Sequence, residues 1–184
     1  MGGEGRLDGY FPCSRLYRRA TGRSFDRFVG SQGTPVCLGW KRGELIQPIG
    51  RSRGGRTTKI HTLTYHFCRP IAFLLTGGQV ADCTAADILL DRMPATPVLH
   101  GDKGYYTNAV REKIEAMGAA PNIPPKTSRR WKPYFSPVLY RNRNAIERMF
   151  GRLKDFRRIA TRYDRLEQNF LAAVCLAAIV CYWL

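Results

Sequence analysis

The sequence predicts an α/β domain in which helices pack on a mixed sheet. From about Gly50 onward, the segments follow the order strand, strand, helix, strand, helix, strand, helix. A chain of 184 residues, 44% of them hydrophobic, is long enough for one domain with a buried core. Up to about Trp40 there is neither sustained alternation nor helical periodicity, so we expect little regular structure there.

A hairpin and a helix open the predicted domain. The segments TTKIHTLTY and PIAFLLTG are rich in β-branched and aromatic residues, and the short HFCR stretch separates them. This pattern predicts two antiparallel strands. In TAADILLDRM the apolar residues recur at helical spacing, and Thr84 followed by Asp87 predicts a helix that Thr84 caps.

A strand, a turn and a helix come next. PVLHGDKGYY predicts a buried strand that runs into Asp102, and TNAVREKIEAMG predicts a helix capped by Thr107 or Asn108 and ended by Gly118. AAPNIPP predicts one more strand, which its prolines restrict to an edge of the sheet. KTSRRWKPYFSP is then a polar, basic loop.

Helices are predicted again from about Tyr140. Apolar residues recur every three or four positions in the first of them, at Ile146, Met149, Phe150, Leu153 and Phe156. A second apolar helix is predicted from Leu166 to Trp183. Its apolar run is shorter than the roughly 18 to 20 residues of a membrane span. We therefore expect a buried terminal helix and no membrane contact.

The charge balance predicts a polyanionic partner. Thirty Lys and Arg against fourteen Asp and Glu give a net charge of +16, and nucleic acid is the common partner of such a protein. The charge does not separate a binding protein from an enzyme. The six cysteines lack C-x-x-C spacing, which favours reduced thiols in a cytoplasm. His61, His66 and Cys68 lack a fourth ligand at suitable spacing, so we do not expect zinc.

Two carboxylates stand at positions that suit a functional site. Asp102 follows a predicted strand, where ligand sites of α/β folds commonly lie, although a turn aspartate that bonds its own backbone is the alternative. Within one helix, Tyr140, Arg143, Glu147 and Lys154 would share an arc of roughly 60°. The alternative for Glu147 is a solvated helix with an Arg143–Glu147 pair.

The spacing of these four residues resembles the Tyr-Arg-Glu-Lys signature of bacterial insertion-sequence transposases of the DDE type. Six ordered segments are similar to that family's DDE domain: GRSRGGRTTKIH, LLTGGQVADCTAADILL, HGDKGYY, NIPPK, YRNRNAIERMFGRLKDFRRIATRYDRL and NFLAAVCLAAI. The resemblance covers about residues 42–184 and implies a ribonuclease-H-like fold and a partial DDE catalytic domain there. We expect residues 1–41 to be irregular and outside the native reading frame.

The resemblance also implies the chemistry. Three carboxylates of that family hold two divalent ions, and Mg²⁺ or Mn²⁺ takes oxygen ligands. It implies that Asp102 and Glu147 are the second and third acids, both catalytic and metal-binding. It implies that Arg143 and Lys154 bind DNA phosphate and that Tyr140 positions the strand or the helix. Further arginines would extend the basic surface: Arg148, Arg152, Arg157, Arg158 and Arg162.

The implied partner is double-stranded DNA at the terminal inverted repeats of the element, bound by a homodimer or a synaptic complex. The implied location is cytoplasmic and nucleoid-associated. Two other functions stay open at this point. One is a non-catalytic DNA-binding remnant or an inhibitor of intact transposase, and the other is a repair or junction nuclease on the same fold.

The first acid of the family is missing. The family places it in an Ile-Asp-Ser or Asp-Ser-Thr motif somewhat over twenty residues before GRSRGG, where this chain has Asp26 followed by Arg27 and Phe28. We therefore expect a sheet that is incomplete at its first strand and a protein that is inactive alone. Our hypothesis is a shifted frame before about Lys41. If Asp26, Arg27, Phe28 and Val29 are encoded GAT CGA TTC GTN, then the frame moved by one base reads ATC GAT TCG, which encodes Ile-Asp-Ser. The nucleotide sequence tests it.

Overall fold

The computed structural model describes residues 27–35, 48–52, 55–65, 67 and 69–184. The strands in these ranges are β1 Arg27–Pro35, β2 Gly50–Ser52, β3 Gly55–Tyr65, β4 Pro70–Gly77, β5 Val98–Gly101 and β6 Ala120–Asn122. The helices are α1 Asp82–Leu90, α2 Asn108–Ala116, α3 Pro137–Tyr140, α4 Asn144–Lys154, α5 Arg157–Ala160 and α6 Glu167–Tyr182.

All six strands belong to one mixed sheet. Its order is β2-β3-β1-β5-β6, and β4 also pairs with β3. Strand β3 is antiparallel to β1, β2 and β4, whereas β5 is parallel to β1 and β6. The predicted hairpin, the edge strand β6 and the mixed α/β architecture are therefore confirmed.

Strand β1 corrects the expectation of little regular structure before Trp40 and of a missing first strand. Residues 27–35 form nine antiparallel pairs with β3 and three parallel pairs with β5. The segment RFVGSQGTP contains two glycines and a proline, so its own strand propensity is weak. Pairing on both sides stabilises it as a strand, which local sequence patterns do not reveal. The rest of residues 1–41 lies outside the described ranges.

Helices cover both faces of the sheet. On one face α1 and α2 pack in a buried cluster that includes Leu63, Leu89, Leu99 and Ile114. On the other face α4, α5 and α6 pack in a second cluster. Its members include Ile60, Leu75, Met149, Leu153 and Phe170. Ile60 and Leu63 are an odd number of residues apart on β3, so their side chains leave opposite faces.

The ends of two helices follow the sequence signals to different degrees. Helix α2 is capped by Thr107, whose Oγ1 accepts the Val110 N–H at 3.2 Å, and Gly118 follows it with φ +78°, as predicted. Helix α1 begins at Asp82 without a side-chain cap. The predicted Thr84 cap is wrong, because Thr84 lies inside the first turn. Asp87 instead bonds Lys113 of α2, with Nζ and Oδ1 2.5 Å apart.

The terminal helix α6 has one buried and one exposed face. Phe170, Val174, Ala177 and Ala178 are buried, while an opposite stripe is exposed. The exposed residues are Leu176, Ile179, Val180 and Trp183. The prediction of a buried helix is therefore half right.

Phe156, predicted to join the apolar stripe of α4, precedes α5 and is 39% exposed. No helix in the described ranges is long and apolar enough to cross a membrane.

A polar network lies inside the core at His61. Its Nδ1 is 2.8 Å from Tyr105 Oη and its Nε2 is 2.7 Å from Thr76 Oγ1. Burial lowers the pKa of His61 to about 4, although the charge of Asp82 opposes this. Both ring nitrogens already have partners, so this histidine fits a structural role.

We expect His61 to make stability depend on pH. Between about pH 4 and 6.5 the folded chain holds this imidazole neutral while the unfolded chain protonates it. Stability contributed by His61 is thus present above pH 6.5 and decreases by about 2 to 3 kcal/mol as the pH falls toward 4. Urea unfolding at pH 7 and pH 4.5 measures this. The His61→Gln variant should show a weaker pH dependence, and an unchanged dependence would contradict the assignment.

Candidate active site

Asp102 stands at the carboxyl end of β5. Its Oδ1 accepts the Lys103 N–H at 2.7 Å, which opens a short 3-10 turn. A glycine stands at 104 in this turn, where a Cβ would lie 2.5 Å from Oδ2 of Asp82 and would require that side chain to move. Through Oδ1, Asp102 therefore bonds the backbone of its own turn, as the turn-aspartate alternative predicts. The other oxygen is engaged elsewhere.

Arg143 joins Asp102 to Glu147. Its Nη2 donates to Oδ2 of Asp102 at 3.0 Å, and its Nη1 lies 3.0 Å from Oε1 of Glu147. Glu147 is in the first turn of α4, one helical turn after Arg143. Side chains that are 45 residues apart in the sequence thus contact one guanidinium. We call Asp102, Arg143 and Glu147 the acidic cluster.

Tyr140 lies against this cluster. Its ring centroid is 5.8 Å from the guanidinium carbon of Arg143, and the Phe135 ring packs on its edge at 5.1 Å. Burial raises the pKa of Tyr140 to about 12, and the charges of Asp102 and Glu147 add to this while Arg143 opposes it. Burial acts against the charge of Arg143, but the nearby Asp102 raises its pKa overall. Near neutral pH, Tyr140 is a neutral hydroxyl and Arg143 is a cation.

Lys154 does not join the acidic cluster. Its Nζ donates to the carbonyl oxygen of Gly33 in β1 at 3.1 Å, and burial lowers its pKa. The predicted single stripe is broken because a 3-10 turn, Arg141–Arg143, separates α3 from α4. Lys154 is also two turns beyond Glu147, roughly 10 Å along the helix. The structure brings Tyr140, Arg143 and Glu147 together with Asp102 and leaves Lys154 at the first strand.

The predicted basic surface needs one correction. Arg148, Arg152, Arg157 and Arg158 are exposed. Arg162 is 0% exposed, so it does not extend the surface. Its Nη1 donates to Thr58 Oγ1 at 2.8 Å in the interior. Arginine side chains are mostly exposed in proteins, so the sequence alone gives no sign that this one is buried.

No acid faces the cluster from the neighbouring strand β1, whose sequence contains neither Asp nor Glu. The register pairs Val29 with Gly101, so continuing it places Gly30 level with Asp102. No group of three or more His, Cys, Asp or Glu side chains suited to a metal occurs in the described part of the chain. Asp26, His66 and Cys68, which the sequence analysis considered, lie outside that part.

The contact between Asp102 and Arg143 was not foreseen from the sequence. The residues are 41 positions apart, and they come together because α4 packs beside β1, which pairs with β5 in the sheet. Arg143 was assigned to DNA phosphate by resemblance, and the structure shows its guanidinium between two carboxylates.

Residues 30–184 match the family model described as Transposase DDE domain. "Putative transposase for insertion sequence element IS6501" of Brucella ovis is 30% identical over 129 residues, which are 70% of this chain and 98% of that protein. "Putative transposase for insertion sequence element IS402" of Burkholderia cepacia is 27% identical over 147 residues, 74% of this chain and 66% of that protein.

Two solved structures are also similar. The catalytic core domain of BIV integrase has a TM-score of 0.48 at 18% identity and covers 85% of this chain and 82% of its own. The Mos1 mariner paired-end complex with Mn has a TM-score of 0.46 at 13% identity, with coverages of 97% and 64%. The family match and the Brucella ovis relative together show that this chain belongs to the DDE-domain transposase family.

Proposed function

We propose that the acidic cluster descends from the site of an insertion-sequence transposase that cuts and joins DNA strands at element ends. One observation carries this proposal: Asp102 at the end of β5 and Glu147 on α4 converge on a single cation, Arg143. The proposed partner is double-stranded DNA carrying terminal inverted repeats, held in a homodimer or synaptic complex beside the nucleoid. The net charge of +16 supports such a partner.

The two carboxylates fit a divalent cation in their chemistry. Both are oxygen donors of the kind that Mg²⁺ and Mn²⁺ prefer, and both already contact one positive charge. When bound, such ions activate the attacking oxygen and relieve charge on the leaving oxygen. Asp102 and Glu147 would hold them.

The other residues of the site suit the binding of a DNA strand. Arg143 can form charge-assisted hydrogen bonds to a phosphate that approaches the cluster. Tyr140, neutral because its pKa is about 12, can donate its hydroxyl proton in a hydrogen bond. Lys154 would act at the β1 side of the site, where its ammonium group lies. The exposed Arg148 and Arg158 would contact the DNA backbone farther from the cut.

We further propose that the chain is inactive alone. Strand β1 provides no carboxylate beside Asp102, so the family's three-acid site has two acids here. Loss of one catalytic group typically costs several kcal/mol of transition-state stabilisation.

A strand-cleavage assay tests this proposal. Duplex DNA with a terminal inverted repeat is incubated with the chain and Mg²⁺ or Mn²⁺, and we expect no cut product from the wild type. If the wild type cuts the DNA and the Glu147→Gln variant does not, the chain is not inactive and Glu147 is one of its catalytic acids. Strand-transfer products would separate a transposase from a nuclease.

A non-catalytic DNA-binding protein or inhibitor of intact transposase is the second candidate, and the missing acid together with the exposed arginines of α4 and α5 favours it. We expect Asp102→Asn to bind terminal-repeat DNA as tightly as the wild type or slightly more tightly, because it removes a negative charge near phosphate. A filter-binding or anisotropy titration measures this. A large loss of binding would show that Asp102 organises the DNA surface itself.

A further inference from the structure

A cleft with a volume of about 530 Å³ lies between α2 and the basic loop that precedes α3. Helix α2 and the segment before it contribute Tyr106, Arg111, Glu112 and Glu115. The loop contributes Arg129, Arg130 and Trp131. None of these residues belongs to the acidic cluster.

Two arginines of the cleft share one aromatic ring. The guanidinium carbons of Arg111 and Arg129 lie 6.0 Å and 5.7 Å from the centroid of Tyr106. Nη1 of Arg111 is buried and has no hydrogen-bond partner in the described part of the chain. A buried donor without an acceptor is costly. An anion bound at Arg111 would offset this cost, and it would also be attracted by Arg129, which lines the same cleft.

The acidic residues of the cleft limit its net charge. Glu112 and Glu115 are both exposed, and neither forms an ion pair with a lining arginine within the described ranges. Because these two carboxylates offset the charge of the arginines, the cleft does not attract every polyanion through its net charge. The Nη1 of Arg111, which has no acceptor in the described part of the chain, favours a single phosphate group in this cleft.

Trp131 adds a stacking surface. Its side chain is 77% exposed in the loop, where a large apolar ring contacts water. Every nucleobase has a face that can stack on such a ring, but in duplex DNA neighbouring bases cover those faces. An arginine pair beside an exposed indole therefore fits an unpaired nucleotide.

The cleft loop is tied to the site described above. The side chain of Asn122 bonds the backbone of Ser136, accepting its N–H at 2.8 Å and donating to its carbonyl at 3.2 Å. Ser136 in turn caps α3, the helix that carries Tyr140. The segment between the cleft and the helix that carries Tyr140 is therefore anchored to the sheet at Asn122.

We propose that this cleft binds one unpaired nucleotide of a DNA strand, with its phosphate at Arg111 and Arg129 and its base on Trp131. The proposal rests on the proposed function only in taking DNA as the partner. The proposed ligand of the cleft is single-stranded, whereas the proposed ligand of the exposed arginines of α4 and α5 is a duplex.

The test compares a fluorescein-labelled oligo-dT of about 12 nucleotides with a duplex of equal length. We expect Trp131→Ala to weaken oligo-dT binding by roughly fivefold or more and duplex binding by less than about twofold. Arg129→Ala should weaken oligo-dT binding similarly. Trp131→Phe keeps an aromatic face and should retain most of the affinity. Equal losses on both DNAs, or no loss on oligo-dT, would overturn the proposal.

Matched controls come from the same surface. Tyr134 is in the same loop and 83% exposed but does not line the cleft, so Tyr134→Ala should leave oligo-dT binding unchanged. Arg92→Ala removes one exposed charge outside the cleft and should change both DNAs equally and slightly. Displacement of oligo-dT by an equal concentration of dTMP would overturn the assignment to a strand. Oligo-dT binding is measured without Mg²⁺ or Mn²⁺ and needs no cutting, so this test stands apart from the cleavage assay.

Discussion

The Gly30→Asp variant is expected to bind Mn²⁺ about tenfold more tightly than the wild type, because affinity rises with the number of ligand charges. Gly30 follows Val29, which pairs with Gly101, so the new carboxylate would stand level with Asp102 on the adjacent parallel strand. Neighbouring strands lie roughly 4.8 Å apart, and paired residues project to the same face. The variant thus supplies the acid that β1 lacks.

Mn²⁺ binding is measured by the loss of the free-ion paramagnetic resonance signal near neutral pH. Gly33→Asp is the matched control: a Cβ there meets no heavy atom within 4 Å, and the position is three residues, roughly 10 Å, farther along β1. It should change the affinity little. Adding Glu147→Gln to Gly30→Asp should remove the gain. Two results would contradict the placement of residue 30 beside Asp102: an equal rise in Mn²⁺ affinity in both variants, or no rise in a folded Gly30→Asp variant.

Arg162→Met is expected to lower the free energy of unfolding by about 3 kcal/mol. The side chain is 0% exposed, and its Nη1 donates to Thr58 at 2.8 Å. Its Nε and Nη2 donate to the carbonyl oxygens of Asp164 and Arg165, and its guanidinium lies over the Phe170 ring at 5.2 Å. Methionine fills much of the volume but leaves these acceptors without a donor.

Urea unfolding measures this loss against an exposed arginine of the neighbouring helix. Arg157 begins α5 and is exposed, and substitutions of exposed side chains usually change the free energy of unfolding by about 0.5 kcal/mol or less. Arg157→Met should therefore unfold close to the wild type. If both variants unfold at the same urea concentration, Arg162 does not anchor the segment before α6.

Elements with strong local signals could be predicted from the sequence. The β3–β4 hairpin follows from two β-branched segments, and α2 follows from its Thr107 cap and the glycine at its end. The edge position of β6 follows from its proline. Each of these signals acts within a few residues of the chain, which is the range that periodicity and capping describe.

The features that escaped prediction depend on contacts between distant segments. Strand β1 is defined by its pairing with β3 and β5, not by its own composition. The Asp102–Arg143 pair joins residues 41 positions apart, and the burial of Arg162 depends on Thr58, which is 104 positions away. The spacing of Tyr140, Arg143, Glu147 and Lys154 fits one unbroken helix, so it gives no sign of the break between α3 and α4. The shifted-frame hypothesis for the first residues stays a prediction for the nucleotide sequence.

Strand cleavage of terminal-repeat DNA with Mn²⁺ tests the proposed acids most directly when three proteins are compared: the wild type, Gly30→Asp, and Gly30→Asp with Glu147→Gln. We expect cut product from Gly30→Asp and none from the other two, because the proposed acids Asp102 and Glu147 lack a partner on β1. Cleavage by the wild type, or by the variant without Glu147, would contradict this proposal.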